Sequence, residues 1–321
     1  MNNQKELVFV IRIGVVNIDC SHPLAFAREL NKGDRARYTA VFNDGFRGED
    51  EVNAFVKNEG LEKVCHSASE LAECTDVGFI QGCDWDKHIG YAMEFINRGK
   101  PVFIDKPIVG NTADCKKIID LEKSGAVILG ASSARYCNEV REFLSLDREE
   151  RGDVLHIDIT VGVDEFNYAI HAIEALCEMA GNEPISVKYV GRGEKDSRTC
   201  DTFFVEFEGG ATGLYHSVLG RFAKFSIIAL TTKDNYTYTV DNTKLYKALL
   251  DEICNKLEGK ENNLASMERI CESIRVALAG KYSMEHGGVR VEIDSPLLDT
   301  VSFDGAEFVK GYAAASSPMY L

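Results

Sequence analysis

The chain has 321 residues and a mass of 35.6 kDa, which is enough for two domains of ordinary size. Hydrophobic residues make up 45% and charged residues 27% of it, proportions typical of globular proteins, so disordered and collagen-like chains are excluded. The 36 basic and 51 acidic residues leave a net charge of −15. Because such a surface repels phosphate backbones and anionic lipids, we expect neither a nucleic acid nor a membrane as a partner.

The N-terminal segment and the cysteines indicate the cellular compartment. Residues 1–16 include an apolar stretch, but Arg12 interrupts it and no small-residue cleavage site follows, which indicates a buried first strand rather than a signal peptide. The ten cysteines are scattered without a C-x-x-C pair, a pattern that favours reduced thiols over a disulfide framework or a zinc site. We therefore predict a cytoplasmic protein.

The first third of the chain alternates short β-branched runs with helical patterns, which is typical of βαβ units and a parallel sheet. The predicted strands are 8–16, 38–42, 77–81, 101–104 and 126–129, and the predicted helices are 24–30, 49–58, 67–71, 87–98 and 112–124. Residues 1–131 are therefore predicted to form a Rossmann-like α/β domain with a doubly wound parallel sheet.

The rest of the chain has a different pattern, in which several strands follow one another with glycine-containing turns between them. The predicted strands are 154–163, 185–190, 202–207, 212–218, 225–231 and 236–240, and the predicted helices are 168–179, 244–257 and 266–279. Residues 132–321 are therefore predicted to form an α+β domain with a large, mostly antiparallel open sheet. The segment after about residue 296 gives no prediction.

The turn after the first strand is where a nucleotide-binding sheet normally carries G-x-G-x-x-G, because bare backbone must approach a pyrophosphate at a helix N-terminus. Here Gly14 precedes the turn, and the turn itself contains no glycine. Ser21 and His22, at the start of the next helix, could still hold a phosphate, whereas the carboxylate of Asp19 argues against one. The residues of this loop leave both cofactor binding and its loss open.

Asn43 and Asp44 follow the second strand, at the position where a carboxylate usually accepts a hydrogen bond from an adenosine ribose. Asp44 favours NAD over NADP, because a carboxylate repels a 2′-phosphate. Arg47 lies three residues further on and could reverse that preference. The alternative is an Asn-Asp-Gly turn chosen for its backbone conformation.

Lys106 and Pro107 directly follow a buried strand, which places an ammonium group at the carboxyl edge of the sheet, where ligands of such folds bind. A lysine in this position is usually just solvated. His22 and His88 also lie in loops at this edge, where they could contact a ligand or serve only as capping and loop residues.

The pattern around this lysine resembles the Gfo/Idh/MocA family of sugar and polyol oxidoreductases. His88 matches the family's loop histidine, residues 99–102 match its Gly-Lys-x-Val helix exit, and residues 105–107 match its Glu-Lys-Pro motif with Asp105 in place of Glu. In the second domain, Asn167, His171 and Glu174 lie near the family's D-x-x-x-H-x-x-D pattern. The resemblance spans roughly residues 10–295.

The resemblance implies a Rossmann domain that binds NAD, with NADP possible, and a second domain that covers the active site and often forms the oligomer interface. It implies hydride exchange between the nicotinamide and a carbohydrate-like hydroxyl compound. Lys106 would stabilise charge on the reacting oxygen or relay its proton, and His171 would be the general acid/base. Asn167, expected one helical turn before His171, would replace the family's Asp.

The predicted site therefore has three overlapping sets, and we expect a homo-oligomer, dimer or tetramer. The catalytic set is Lys106, His171 and Asn167. The cofactor-binding set is Gly14, Ser21, His22, Asn43, Asp44, His88 and Asp105. The substrate-binding set is Lys106, Arg135, Tyr136, Asn167, Tyr168 and His171.

The residues leave two alternatives to the redox function open. The missing turn glycines and the amide at Asn167 fit a ligand-binding or regulatory protein of the same fold that has lost the dinucleotide. A hydrolase or lyase with a tightly held cofactor is the other. Asp164, Glu165, His171 and Glu174 could in principle hold a divalent metal, but an acidic helix start accounts for them better, so no metal is predicted.

Overall fold

The structure is a computed structural model that describes residues 10–130 and 132–321. Its first sheet has six parallel strands in the order β3-β2-β1-β4-β5-β6. The strands are β1 Ile11–Val16, β2 Ala36–Phe42, β3 Lys63–Cys65, β4 Val77–Ile80, β5 Val102–Ile104 and β6 Ile128–Gly130. Because the strand order reverses between β1 and β4, a crevice opens there at the carboxyl edge, as in doubly wound nucleotide-binding sheets.

Helices cover the first sheet and account for the nearly continuous apolar character of its strands. They are α1 His22–Leu30, α2 Glu49–Glu59, α3 Ala68–Cys74, α4 His88–Ile96 and α5 Thr112–Lys123. Ser67 and Asn111 cap α3 and α5, each accepting a hydrogen bond from a backbone N–H of the first turn. The predicted doubly wound parallel sheet is thus confirmed.

The second sheet has seven strands in the order β12-β11-β7-β10-β9-β8-β13. They are β7 Val154–Val163, β8 Pro184–Lys195, β9 Arg198–Phe207, β10 Thr212–Leu219, β11 Ser226–Thr231, β12 Asn235–Thr239 and β13 Val291–Glu292. The pairing of β7 with β10 is parallel, and the other pairings described are antiparallel. A mostly antiparallel second sheet is therefore confirmed.

The remaining helices are α6 Asn138–Ser145, α7 Arg148–Arg151, α8 Ala169–Ala180, α9 Leu245–Leu257, α10 Met267–Glu285 and α11 Gly305–Ala315. Helices α8 and α10 cover one face of the second sheet. The packing is close, since a Cβ at Gly280 of α10 would lie 2.5 Å from the Tyr215 hydroxyl. Helix α9 packs on α1, and α10 packs on α5, so both return to the first sheet's helices.

Several sequence predictions need adjustment. The sequence predicts the first strand over 8–16; residues 8 and 9 lie outside the described residues, and the strand is described from Ile11. Strand β3 was not predicted because it has only three residues, too few to show a period. The sequence does not predict helix α11. Gly305 is its one buried residue, so the helix has no apolar stripe of the kind that a buried helix face shows in a sequence.

The predicted domain boundary at residue 131 and the predicted homo-oligomer stay predictions. In the part of the chain that the structure describes, no helix combines the length and the apolar character needed to cross a membrane.

Candidate active site

A small polar cavity lies at the carboxyl edge of the first sheet, where β1, β4 and β5 end. Its volume is about 30 Å³. The residues around it are Cys20, Ser21, His22, Gln81, Gly82, Cys83, Asp105, Lys106, Pro107, Asn167, Tyr168 and Tyr312. The structure therefore brings together six of the predicted site residues from both parts of the chain: Ser21, His22, Asp105, Lys106, Asn167 and Tyr168.

The Lys106 ammonium is held between the two parts of the chain. Its Nζ donates to the Asn167 backbone oxygen at 3.0 Å and to Asn167 Oδ1 at 2.9 Å, and it lies 5.3 Å from the centre of the Tyr168 ring. The Asn167 amide in turn donates to Asp164 Oδ2 at 3.3 Å. The lysine that the sequence placed at the sheet edge thus points into the cavity and is oriented by neutral oxygen acceptors.

Asn167 does not lie on the helix that carries His171, contrary to the sequence prediction. Helix α8 begins at Ala169, and Asn167 belongs to the turn before it. The Asp164 carboxylate fixes this turn by accepting the N–H groups of Phe166 at 3.0 Å and Tyr168 at 2.8 Å. Because the turn is folded back on Asp164, both oxygens of Asn167 face the lysine, which a helical position would not allow.

His22 and Asp105 form an ion pair beside Lys106. His22 Nδ1 lies 2.7 Å from Asp105 Oδ2, and the same carboxylate accepts from Gln81 Nε2 at 3.2 Å and from the Lys106 backbone N–H at 2.8 Å. Burial would raise the pKa of Asp105, but the charge and hydrogen bond of His22 and the charge of Lys106 lower it to about 2. Burial opposes protonation of His22, but the Asp105 charge, the Cys20 charge and the hydrogen bond to Asp105 together outweigh it, so the pKa of His22 is raised.

The raised pKa of His22 makes stability depend on pH in a defined direction. Protonated His22 stabilises the fold fully below its unfolded pKa near 6.5, and this contribution is lost as pH rises through the higher folded value. We therefore expect His22→Gln to lower the free energy of unfolding more at pH 5 than at pH 9, as measured by urea denaturation. His66→Gln, at an exposed position, is the matched control and should show no such trend. An equal loss at both pH values for His22→Gln would contradict the assignment.

His171 lies next to the cavity, on the first turn of α8, rather than in its wall. Its Nδ1 is hydrogen-bonded to the Ser132 hydroxyl, and its ring meets Tyr168 edge to face at 5.9 Å. Burial, followed by the positive charges of Lys106 and His22, holds the pKa of His171 well below its ordinary value. The imidazole is therefore neutral near pH 7 and can accept a proton.

Three of the predicted cofactor residues have structural roles in or beside the first sheet. Gly14 is required by packing, since a Cβ there would lie 2.7 Å from Thr75 Oγ1. Asn43 accepts from the Ile18 N–H at 3.1 Å and so ties the loop after β2 to the loop after β1. His88 is buried, with one ring nitrogen 3.1 Å from the Ile108 oxygen and the other 3.0 Å from the Gly82 oxygen.

Asp44 is also engaged, because the Tyr91 hydroxyl donates to both of its carboxylate oxygens at 2.6 and 2.8 Å. A ribose hydroxyl would have to displace the Tyr91 hydroxyl or share the Asp44 carboxylate with it. The role that the sequence assigned to Asp44 therefore depends on a side-chain exchange.

Arg135 and Tyr136, predicted to line the substrate cleft, lie away from the cavity in the interior. The Arg135 guanidinium is 0% exposed and donates to Glu174 Oε2 at 3.0 Å and to Glu178. The Tyr136 hydroxyl accepts the Ala265 N–H at 2.9 Å. Arg135 is thus a buried structural cation, and Glu174, its partner, is not available for the metal cluster considered above.

The first turn keeps a glycine-like backbone without glycine. Asn17 takes the left-handed conformation, with φ of 64°, which asparagine tolerates better than other non-glycine residues. Asp19 is buried, and its carboxylate accepts the N–H groups of Phe46 at 3.1 Å and Cys83 at 3.0 Å. Burial raises the pKa of Asp19. The carboxylate therefore bridges the three loops that follow β1, β2 and β4.

Six further cavity residues are not in the predicted sets: Cys20, Gln81, Gly82, Cys83, Pro107 and Tyr312. The first five lie at or just after the ends of predicted strands, so their position at the sheet edge was the signal that could have identified them. Tyr312 lies on α11, in the segment that gave no prediction.

Comparison with known proteins gives one family match. Residues 12–132 match the model of the Gfo/Idh/MocA oxidoreductase family, described as having an NAD-binding Rossmann fold. Inositol 2-dehydrogenase from Gluconacetobacter diazotrophicus is 31% identical over 98 residues, which is 29% of this chain and 29% of that protein. The matched segment thus spans less than a third of the curated relative.

Solved structures extend the similarity of fold over most of the chain. A probable dehydrogenase from Thermotoga maritima has a TM-score of 0.76 at 17% identity, with 88% of this chain and 99% of that chain covered. Scyllo-inositol dehydrogenase from Lactobacillus casei, solved with NAD(H) and scyllo-inositol, has a TM-score of 0.75 at 15% identity, with 89% and 100% covered. At these identities the likeness establishes the two-domain fold.

Proposed function

Because residues 12–132 of this chain match the model of the Gfo/Idh/MocA oxidoreductase family, we propose that the protein is an NAD-dependent oxidoreductase that acts on the CH–OH group of a polyol. NADP is the alternative cofactor. The inositol dehydrogenases among the similar proteins make a cyclic polyol the first substrate class to test. The proposal rests most directly on one observation, the Lys106 ammonium directed into a polar cavity at the edge of the first sheet.

The chemistry of the cavity residues supports this reaction class. Lys106 would donate to the substrate oxygen as it gains negative charge, in place of its present acceptors on Asn167. His171, which lies beside the cavity, is neutral because burial and the Lys106 charge lower its pKa, and its free imidazole nitrogen would take up the hydroxyl proton. The amide of Asn167 can hydrogen-bond a second hydroxyl. NAD, when bound, would supply the hydride acceptor.

The residues at the sheet edge fit the nicotinamide end of NAD better than they fit its pyrophosphate and adenosine. Ser21 and His22, at the start of α1, present the donors that an anionic group needs, and Asn17 keeps the turn in its left-handed conformation. The carboxylate of Asp19 lies in the same turn, and Asp44 is bonded to Tyr91. A cavity of about 30 Å³ is also far below the several hundred Å³ that bound small molecules usually require. Binding therefore requires the cavity to open.

The proposed function is tested by cofactor binding and by turnover. We expect NADH to raise the thermal midpoint, because a ligand that binds only the folded state stabilises it. We also expect NAD to be reduced in the presence of a cyclic polyol, and a panel of inositols and linear polyols would rank the substrates. If neither NADH nor NADPH raises the midpoint or binds by calorimetry, the redox function is wrong and a non-redox protein of the same fold becomes the better interpretation.

A further inference from the structure

The last residues of the described chain lie over the loops that follow β1 and β2. Tyr320 is only 4% exposed, and its hydroxyl donates to the Cys20 oxygen at 2.6 Å. Its ring meets Phe55 of α2 edge to face at 5.3 Å. We refer to residues 316–321 as the tail. Through Tyr320, the tail occupies the edge of the sheet where a doubly wound fold binds its ligand.

Two charged residues of the neighbouring loop and helix hold the tail through its backbone. Arg47 Nη1 donates to the Ser317 oxygen at 2.9 Å, and Glu51 Oε1 accepts the Met319 N–H at 2.8 Å. Arg47 and Glu51 also contact each other at 3.2 Å. These residues satisfy backbone groups of the tail, although they lie where the sequence predicts a nucleotide.

The Arg47 guanidinium is not fully satisfied by the tail. It is 5% exposed, and within the described part of the chain its buried Nη2 has no hydrogen-bond partner. Buried polar groups without a partner are uncommon, and a cation with a free N–H is suited to a phosphate oxygen. Arg47 therefore keeps one N–H donor free, which an anion could accept and which no group of the tail accepts.

Helix α11 and the tail are attached to the sheet in different ways. The segment around the start of α11 is anchored, since Trp85 Nε1 donates to the Phe303 oxygen at 2.7 Å and the Gly305 N–H donates to Asp86 at 2.8 Å. Beyond that start, α11 buries little, and Tyr312 closes one side of the cavity. Apart from Tyr320, the tail residues are half-buried or exposed, and segments with few buried residues open locally at low cost. The tail can therefore leave the groove while the start of α11 stays in place.

From these contacts we propose that the tail is an intramolecular cover that competes with the dinucleotide for the groove over β1 and β2. The inference rests on the proposed function, since it presumes that a dinucleotide binds there. When the tail leaves, the Cys20 oxygen and Glu51 lose their tail partners, and Arg47 becomes available to a phosphate. Apparent affinity for the dinucleotide is then reduced by the fraction of molecules in which the groove is open.

The test compares NADH binding by calorimetry in the full chain and in a chain that ends at Ala315. If the groove is open in about one molecule in ten or fewer, the shortened chain should bind NADH at least about tenfold more tightly. Tyr320→Ala should show part of this gain, and Leu321→Ala, at a 77% exposed position, is the matched control and should show none. Thermal unfolding of each variant verifies that it is folded.

A second measurement needs no variant. In hydrogen–deuterium exchange of the full chain, saturating NADH should increase exchange in residues 316–321 while residues 302–305 stay protected. Equal NADH affinity in the full and shortened chains, or binding of NADH without release of the tail, would contradict the proposal that the tail competes with the dinucleotide. Either result would leave the proposed function unaffected. If neither chain binds NADH or NADPH, the proposed function fails and the competition fails with it.

Discussion

Replacing Lys106 with methionine is expected to lower kcat/KM for polyol oxidation by about 10²–10³-fold, the range typical of losing one donor to a developing oxyanion. The methionine side chain has a similar length but carries no charge. It would remove the ammonium group that lies in the cavity between Asn167 and the Tyr168 ring. Binding of NADH should change little, because the loops that follow β1 and β2 are untouched. Steady-state kinetics and NADH calorimetry on the same preparation measure both quantities.

Lys87→Met is the control for the Lys106 variant. Lys87 follows the neighbouring strand β4, but its side chain is 53% exposed and pairs only distantly with Asp84. Its replacement should leave both kcat/KM and NADH affinity unchanged. If Lys106→Met keeps the turnover of the unmodified protein, the lysine has been misassigned and serves only to position the turn at Asn167.

Replacing Arg135 with methionine is expected to cost about 3–5 kcal/mol of unfolding free energy, because it leaves the Glu174 carboxylate buried without its cation. Arg135 belongs to the short turn that follows Ser132, and the Ser132 N–H also donates to Glu174, at Oε1 and 3.0 Å. Urea denaturation gives the free energy directly. The double variant Arg135→Met with Glu174→Gln should recover part of the loss, since the uncompensated charge is then removed.

Arg12→Met provides the comparison for a surface ion pair. Arg12 is bonded to Asp76 at 2.7 Å, but its side chain is 50% exposed, so the loss should stay within about 1 kcal/mol. A cost for Arg135→Met as small as that for Arg12→Met would show that the buried cation is not structural.

Local patterns in the sequence were sufficient for most of the fold. The apolar runs of β1, β4 and β5 predict strands buried on both faces, and such strands in a βαβ order can hardly form anything but a parallel sheet. The position of Lys106 follows in the same way, because a residue directly after a buried strand must lie at the carboxyl edge. These inferences succeed because each depends on neighbours in the chain.

The roles of individual side chains could not be inferred in this way. The family resemblance predicts that Arg135 lines the substrate cleft, yet its guanidinium pairs with a carboxylate 39 residues away in the interior. His22 and Asp105 are separated by 83 residues, and their pairing, which sets the charge of both, arises only when β1 and β5 are assembled in one sheet. Short polar segments carry no period that predicts such partners.

The amino-acid sequence alone established the parallel sheet, the mostly antiparallel second sheet and the lysine at the sheet edge, since hydrophobic periodicity and strand ends are encoded locally. It could not establish that Asn167 turns back toward Lys106, that Asp19 bridges three loops, or that Tyr320 lies over Cys20 from 300 residues away. Those contacts depend on how distant segments pack, and the free energy that selects them comes from burial and hydrogen bonds that exist only in the assembled fold.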